Sequence, residues 1–84
     1  MSCGSGIVAH IAANKVPGIR AALVHDILTA RECVEDLDAT VMCYGGQIIG
    51  ETMVCTFARE FLEARFKADA ASKALVAKIE ALDP

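Results

Sequence analysis

Apolar and polar positions alternate between two periods along this chain. Ile7 to Lys15 reads as a short helix, stopped by Val16-Pro17-Gly18. Ile19 to Val24 is almost continuously apolar and β-compatible, as in a strand covered on both faces. His25-Asp26 follows, with Asp26 placed to cap a helix over Ile27 to Leu37 that carries Ile27, Ala30 and Val34 on one face. Thr40 to Tyr44 predicts a second strand, ended by Gly45-Gly46, and Gln47 to Gly50 a connector. Thr52 to Phe66 is an amphipathic helix with Val54, Phe57, Phe61 and Leu62 at helical spacing. After Lys67-Ala68-Asp69, a last helix over 69–82 carries a stripe of Leu75, Val76, Ile79 and Leu82.

The predicted order is therefore α-β-α-β-α-α. Strands separated by crossover helices imply a parallel sheet in an α/β, Rossmann-like three-layer fold. Residues 1–84 form one domain. Two strands make a poor sheet alone, and the chain is expected to be the C-terminal half of a larger fold. Ligands bind such sheets at the carboxyl ends of the strands. The turns at His25-Asp26 and Gly45-Gly46 then share an edge with the chain's first residues.

Those residues carry the candidate chemistry. Cys3-Gly4-Ser5-Gly6 opens directly into the first helix. Glycines let backbone N–H groups converge on an anion, and a helix start adds partial positive charge. The same field lowers a thiol pKa, making Cys3 a candidate base or nucleophile. His25, at a strand's carboxyl end, is either a site residue or part of a helix cap; His10 reads as a surface or interface histidine.

Composition sharpens this picture. Hydrophobic residues make up 55% of so short a chain, so part of the aliphatic surface is expected to meet a partner or another half. A net charge of −3 without a basic face argues against nucleic acid. No apolar run is long enough to span a bilayer. The four cysteines, at 3, 33, 43 and 55, lack metal-ligand spacing, so no metal is expected. Cys33, Cys43 and Cys55 read as small buried hydrophobes. The expected setting is reducing and cytoplasmic.

Several stretches resemble one family, the sugar-phosphate isomerases that include ribose-5-phosphate isomerase B and galactose-6-phosphate isomerase. They are Cys3 to Ile7, Ile11 to Ala22, Asp26 with Ala30-Arg31, Asp38 to Val41, Gly45 to Glu51, and Val76 to Ile79. The likeness runs furthest toward the B subunit of galactose-6-phosphate isomerase. It implies aldose–ketose isomerisation of a phosphorylated sugar through a cis-enediolate, without metal or organic cofactor. It assigns Cys3 as the base moving a proton between C1 and C2, Ser5 as a hydroxyl beside it, and the amides of Gly4 to Val8, with Gly6 and Ile7 between them, to the enediolate oxygen.

The sequence also departs from the family pattern. Val8 stands where a third glycine is usual. Asp36 and Leu37 occupy the positions of the ring-opening histidine and its asparagine neighbour. Gln47 takes the place of a substrate-binding arginine, and Lys73 is the nearest cation to a missing arginine pair. Lys15 and Arg31 are the other candidate phosphate cations. Two readings follow: an isomerase working as a homo- or hetero-oligomer, or a catalytically incomplete fragment or subunit that binds a sugar phosphate or a partner.

Overall fold

The computed structural model describes residues 1–83. Seven elements follow in order: β1 (Ser2–Cys3), α1 (Ile7–Ala13), β2 (Ala21–Leu23), α2 (Ile27–Glu35), β3 (Val41–Gly45), α3 (Glu51–Glu63) and α4 (Ala70–Glu80). The strands form one parallel sheet in the order β1-β3-β2. The expected order lacked β1. That strand is two residues long, too short to show a period, and exists through pairing: Tyr44 N–H donates to the Met1 carbonyl and Gly46 N–H to that of Cys3.

Side chains alternate across the sheet and build two cores. Ala21, Leu23, Val41, Cys43 and Cys3 face α1, where Ala9 and Ala13 close over them. Ala22, Val24, Met42 and Tyr44 face α2 and α3, packing with Ala30, Cys33, Val34, Ile49 and Phe57. A sheet with helices on both faces is the expected three-layer arrangement. Small residues dominate the α1 side, so that helix lies close to the sheet.

Polar side chains fix the joints. Asp26 accepts from the Thr29 N–H at 2.7 Å and caps α2, and Asp69 accepts from the Ser72 N–H at 2.8 Å and caps α4, both as the sequence predicts. Asn14 ends α1 and ties it to β2, donating to the Ala21 carbonyl at 3.0 Å and accepting from the Ala21 N–H at 2.9 Å. Arg20, only 13% exposed at its side chain, donates to the carbonyls of Leu37 and Asp38 and pairs with the Asp38 and Glu80 carboxylates. Glu80 and Asp83, whose carboxylate accepts from Gly18 N–H at 2.8 Å, hold the end of α4 across the amino edge of the sheet. The α4 stripe is not buried within the chain: Leu75, Ile79 and Leu82 remain exposed. Cys55 is exposed on α3, against expectation, while Cys33 and Cys43 are buried. No helix among the described residues is long and apolar enough to cross a membrane.

Candidate active site

Cys3 ends β1 at the carboxyl edge of the sheet, in register with Gly45 of β3. The chain then turns sharply through Gly4 and Ser5 into α1. Gly6 makes the turn, with φ +85°, in the left-handed region that glycine adopts freely. A β-carbon there would lie 2.6 Å from Leu23 Cδ1 and 2.8 Å from the Tyr44 carbonyl carbon. Glycine is therefore required at Gly6 twice over, by conformation and by space.

The turn points amides at sulfur. Gly6 N–H donates to Cys3 Sγ at 3.2 Å. The Ala9 amide most strongly, with those of Gly6, Val8 and Ser5, holds the Cys3 thiol below its ordinary pKa, against a smaller opposing push from desolvation. Burial pushes Cys33 and Cys43 the other way. Ser5 Oγ accepts from Ile7 N–H at 3.4 Å, a long contact that leaves the hydroxyl open to solvent beside the thiol. Ile7 and Val8 are exposed, so their backbone amides border an open surface.

The end of β3 forms the other wall. Gly46 N–H donates to the Cys3 carbonyl at 2.8 Å and Gln47 N–H to that of Gly4 at 2.9 Å. A β-carbon on Gly4 would meet Gln47 Oε1 at 3.1 Å, so the Gln47 amide lies directly over the glycine. Gly45 sits backbone to backbone against the loop; a β-carbon there would lie 2.6 Å from the Ser5 carbonyl carbon. On the far side of Gly45, His25 Nε2 accepts its N–H at 3.0 Å. The Gly45-Gly46 pair reads in the sequence as a strand terminator at the same edge as the Cys3 loop. Its role as a flat bearing surface for the Cys3 loop is visible in the packing alone.

Cys3, Gly4, Ser5, Gly6, Ile7, Val8 and Gln47 lie together at the carboxyl edge of the sheet. Asp36 does not join them within the chain. It lies just past the end of α2, which starts at the carboxyl edge and returns to the amino edge, and it pairs there with Lys67 at 3.2 Å. A helix crossing between parallel strands separates its two ends by the depth of the sheet. Arg31 is occupied as well, pairing with Glu35 at 3.4 Å and Glu60 at 3.7 Å between α2 and α3. Among the described residues no group of three or more His, Cys, Asp or Glu side chains could hold a metal ion.

The sequence and the fold both match proteins of one family. The family model for ribose/galactose isomerase matches residues 1–79. The galactose-6-phosphate isomerase subunit LacB of Clostridium acetobutylicum is 41% identical over 80 residues, which are 95% of this chain and 46% of that protein. D-erythrulose-4-phosphate isomerase 2 of Mycolicibacterium smegmatis is 38% identical over 74 residues, 88% of this chain and 49% of that one. The type B ribose 5-phosphate isomerase of Trypanosoma brucei superposes with a TM-score of 0.95 at 39% identity, covering 98% of this chain and 55% of that structure. The chain spans about half the length of the relatives it matches. By sequence and by fold, it belongs to the ribose/galactose isomerase family.

Proposed function

We propose that this chain carries the proton-transfer apparatus of an aldose–ketose isomerase acting on phosphorylated sugars. The observation behind this reading is the Cys3 sulfur, held 3.2 Å from the Gly6 N–H among amides that favour its thiolate. The thiolate takes the proton from C2 of the open-chain aldose. The C–H electron pair becomes the C1–C2 double bond, and the carbonyl pair moves to O1. Amides of the turn stabilise that oxygen as its charge develops. The thiol then returns the proton to C1, the O2 proton passes to O1, and the C1–C2 π pair gives way to the C2–O2 carbonyl, which leaves the ketose. A lowered thiol pKa suits this exchange near neutral pH. Ser5 Oγ and the Gln47 amide border the same space and are placed to orient the substrate hydroxyls.

The relatives are named for ribose 5-phosphate, galactose 6-phosphate and D-erythrulose 4-phosphate. A phosphorylated sugar is the shared feature, and substrate choice lies in groups that position the chain and the phosphate. A second reading is a catalytically incomplete fragment or subunit that binds a sugar phosphate or a partner. Asp36 favours it, because the carboxylate in the ring-opening position sits at the opposite edge, paired with Lys67.

The test is isomerisation in deuterated water, followed by proton NMR. It uses these three sugar phosphates, with the chain alone and joined to the N-terminal half of the Clostridium relative. Deuterium should enter the substrate carbon, and Cys3→Ala should lower the rate by about 10²–10⁴-fold. Undiminished turnover by Cys3→Ala would place the base elsewhere. No turnover in either format would favour the second reading.

A further inference from the structure

We infer that His25 is a positioning residue for the Cys3 site: it fixes Gly45 by accepting its N–H, and Gly45 in turn braces the loop that carries the thiol. The inference rests on the reading of Cys3 as the reacting group. Its observation is independent of that reading. A backbone amide can only donate, so the contact at 3.0 Å makes His25 Nε2 the acceptor, with any ring proton on Nδ1. A second proton, on Nε2, would face the Gly45 N–H donor to donor.

Gly45 transmits this contact because nothing separates it from the loop. Its Cα approaches the Ser5 carbonyl so closely that a β-carbon would meet Ser5 O at 2.7 Å and Gly4 O at 2.8 Å. From the other side, a β-carbon on Gly6 would come within 3.0 Å of Gly45 N. The amide that His25 holds therefore abuts the residue whose own amide donates to Cys3 Sγ. The next two amides of the turn, Gly46 and Gln47, bind the carbonyls of Cys3 and Gly4 at 2.8 and 2.9 Å. His25 itself is anchored at the end of β2, where Val24 N–H donates to the Cys43 carbonyl at 2.9 Å and Asp26 caps α2. A side-chain acceptor on β2 thus sets the height of a turn on β3, and that turn sets the amides around a sulfur on β1. Asp26, the adjacent carboxylate, is engaged with Thr29 and does not compete for Gly45.

The experiment reads the thiol, so its outcome does not depend on isomerisation. His25→Phe keeps a planar ring without an acceptor; His25→Gln places an amide oxygen near the position of Nε2. The rate of Cys3 alkylation by iodoacetamide is measured against pH by peptide mass spectrometry, with exposed Cys55 as internal reference. Circular dichroism monitors folding. The Phe variant should raise the apparent pKa of Cys3 by about one unit, which slows alkylation near neutral pH about tenfold. The Gln variant should restore the original profile to within about threefold. An unchanged Cys3 profile in a folded Phe variant would overturn the inference. So would a folded Gln variant as slow as Phe. Should the Phe variant fail to fold, the Gln variant decides alone: the original profile supports the role, and a raised pKa refutes it. Loss of isomerase activity in Cys3→Ala, or its retention, leaves this result standing either way.

Discussion

The Gly6 amide reaches back three residues to the Cys3 sulfur, 3.2 Å away, and does so from a backbone at φ +85°. The hydrogen bond and the left-handed turn are one feature, because only that turn brings the amide round to face the end of β1. Gly6→Ala tests the coupling. Alanine in this conformation costs about 1–2 kcal/mol before any overlap. Its methyl also meets the Tyr44 backbone, which cannot rotate away. The expected result is a lower unfolding midpoint together with a raised Cys3 pKa. Lower stability with an unchanged thiol titration would show that the amide does not govern the sulfur.

The cysteines should separate by reactivity. Cys3 is half-buried with a thiol held below its ordinary range by amides, Cys55 is exposed, and burial raises Cys33 and Cys43. Only the thiolate reacts, so alkylation at neutral pH should run fastest at Cys3, then Cys55, with Cys33 and Cys43 silent until the chain opens. As pH rises, the Cys3 rate should level off earlier than that of an ordinary thiol, because the surrounding amides lower its pKa. Equal rates at Cys3 and Cys55 across the whole pH range would remove the electrostatic case for the site.

Acid should act through two helix caps. Asp26 is held below the usual carboxylate range by the Thr29 amide and hydroxyl, and Asp69 by the Ser72 amide and hydroxyl. A carboxyl depressed by folding adds stability that is fully present above its unfolded value of about 3.9, and loses it as pH falls through the folded value. Thermal midpoints should therefore drop below about pH 4. Asparagine caps a helix without titrating, so Asp26→Asn with Asp69→Asn should match the parent at pH 7 and show a flatter acid limb. Identical acid limbs would assign the loss to other carboxylates.

Much of this arrangement is legible in the sequence, for reasons that differ by residue. Asp26 and Asp69 announce their helices because capping is local chemistry between residues three apart. The Cys3 loop is legible because glycine spacing encodes backbone shape. β1 is not, since its two residues become a strand only by pairing with Tyr44 and Gly45, more than forty positions away. Asp36 misleads because its place in the chain says nothing of which sheet edge it reaches; the direction of α2 decides that. Cys55 shows the limit of composition: a small apolar side chain on an amphipathic helix can face either way. The link from His25 to Gly45 joins two strands through one nitrogen atom, and no local pattern signals it.

The last helix supplies the final prediction. α4 is joined to the sheet by polar contacts at its end, through Arg20 to Glu80 and Gly18 to Asp83, while Leu75 stands 49% exposed and Leu82 83% exposed. A helix whose apolar stripe lacks cover within its own chain gains free energy by burying it elsewhere, at roughly 25 cal/mol per Å² of apolar surface. The chain should therefore associate, with itself or with a partner of the same family, through the stripe of Leu75, Ile79 and Leu82. Sedimentation velocity over a range of concentrations should show species larger than the monomer. Leu75→Glu with Leu82→Glu should shift the chain toward monomer, leave its helical circular dichroism intact, and leave Cys3 alkylation unchanged, because the stripe lies on a different element from the thiol. A monomer at every concentration in the parent chain would show that the stripe is tolerated bare. Association that survives both substitutions would move the interface to the exposed face of α1, at Ile7, Val8 and Ile11.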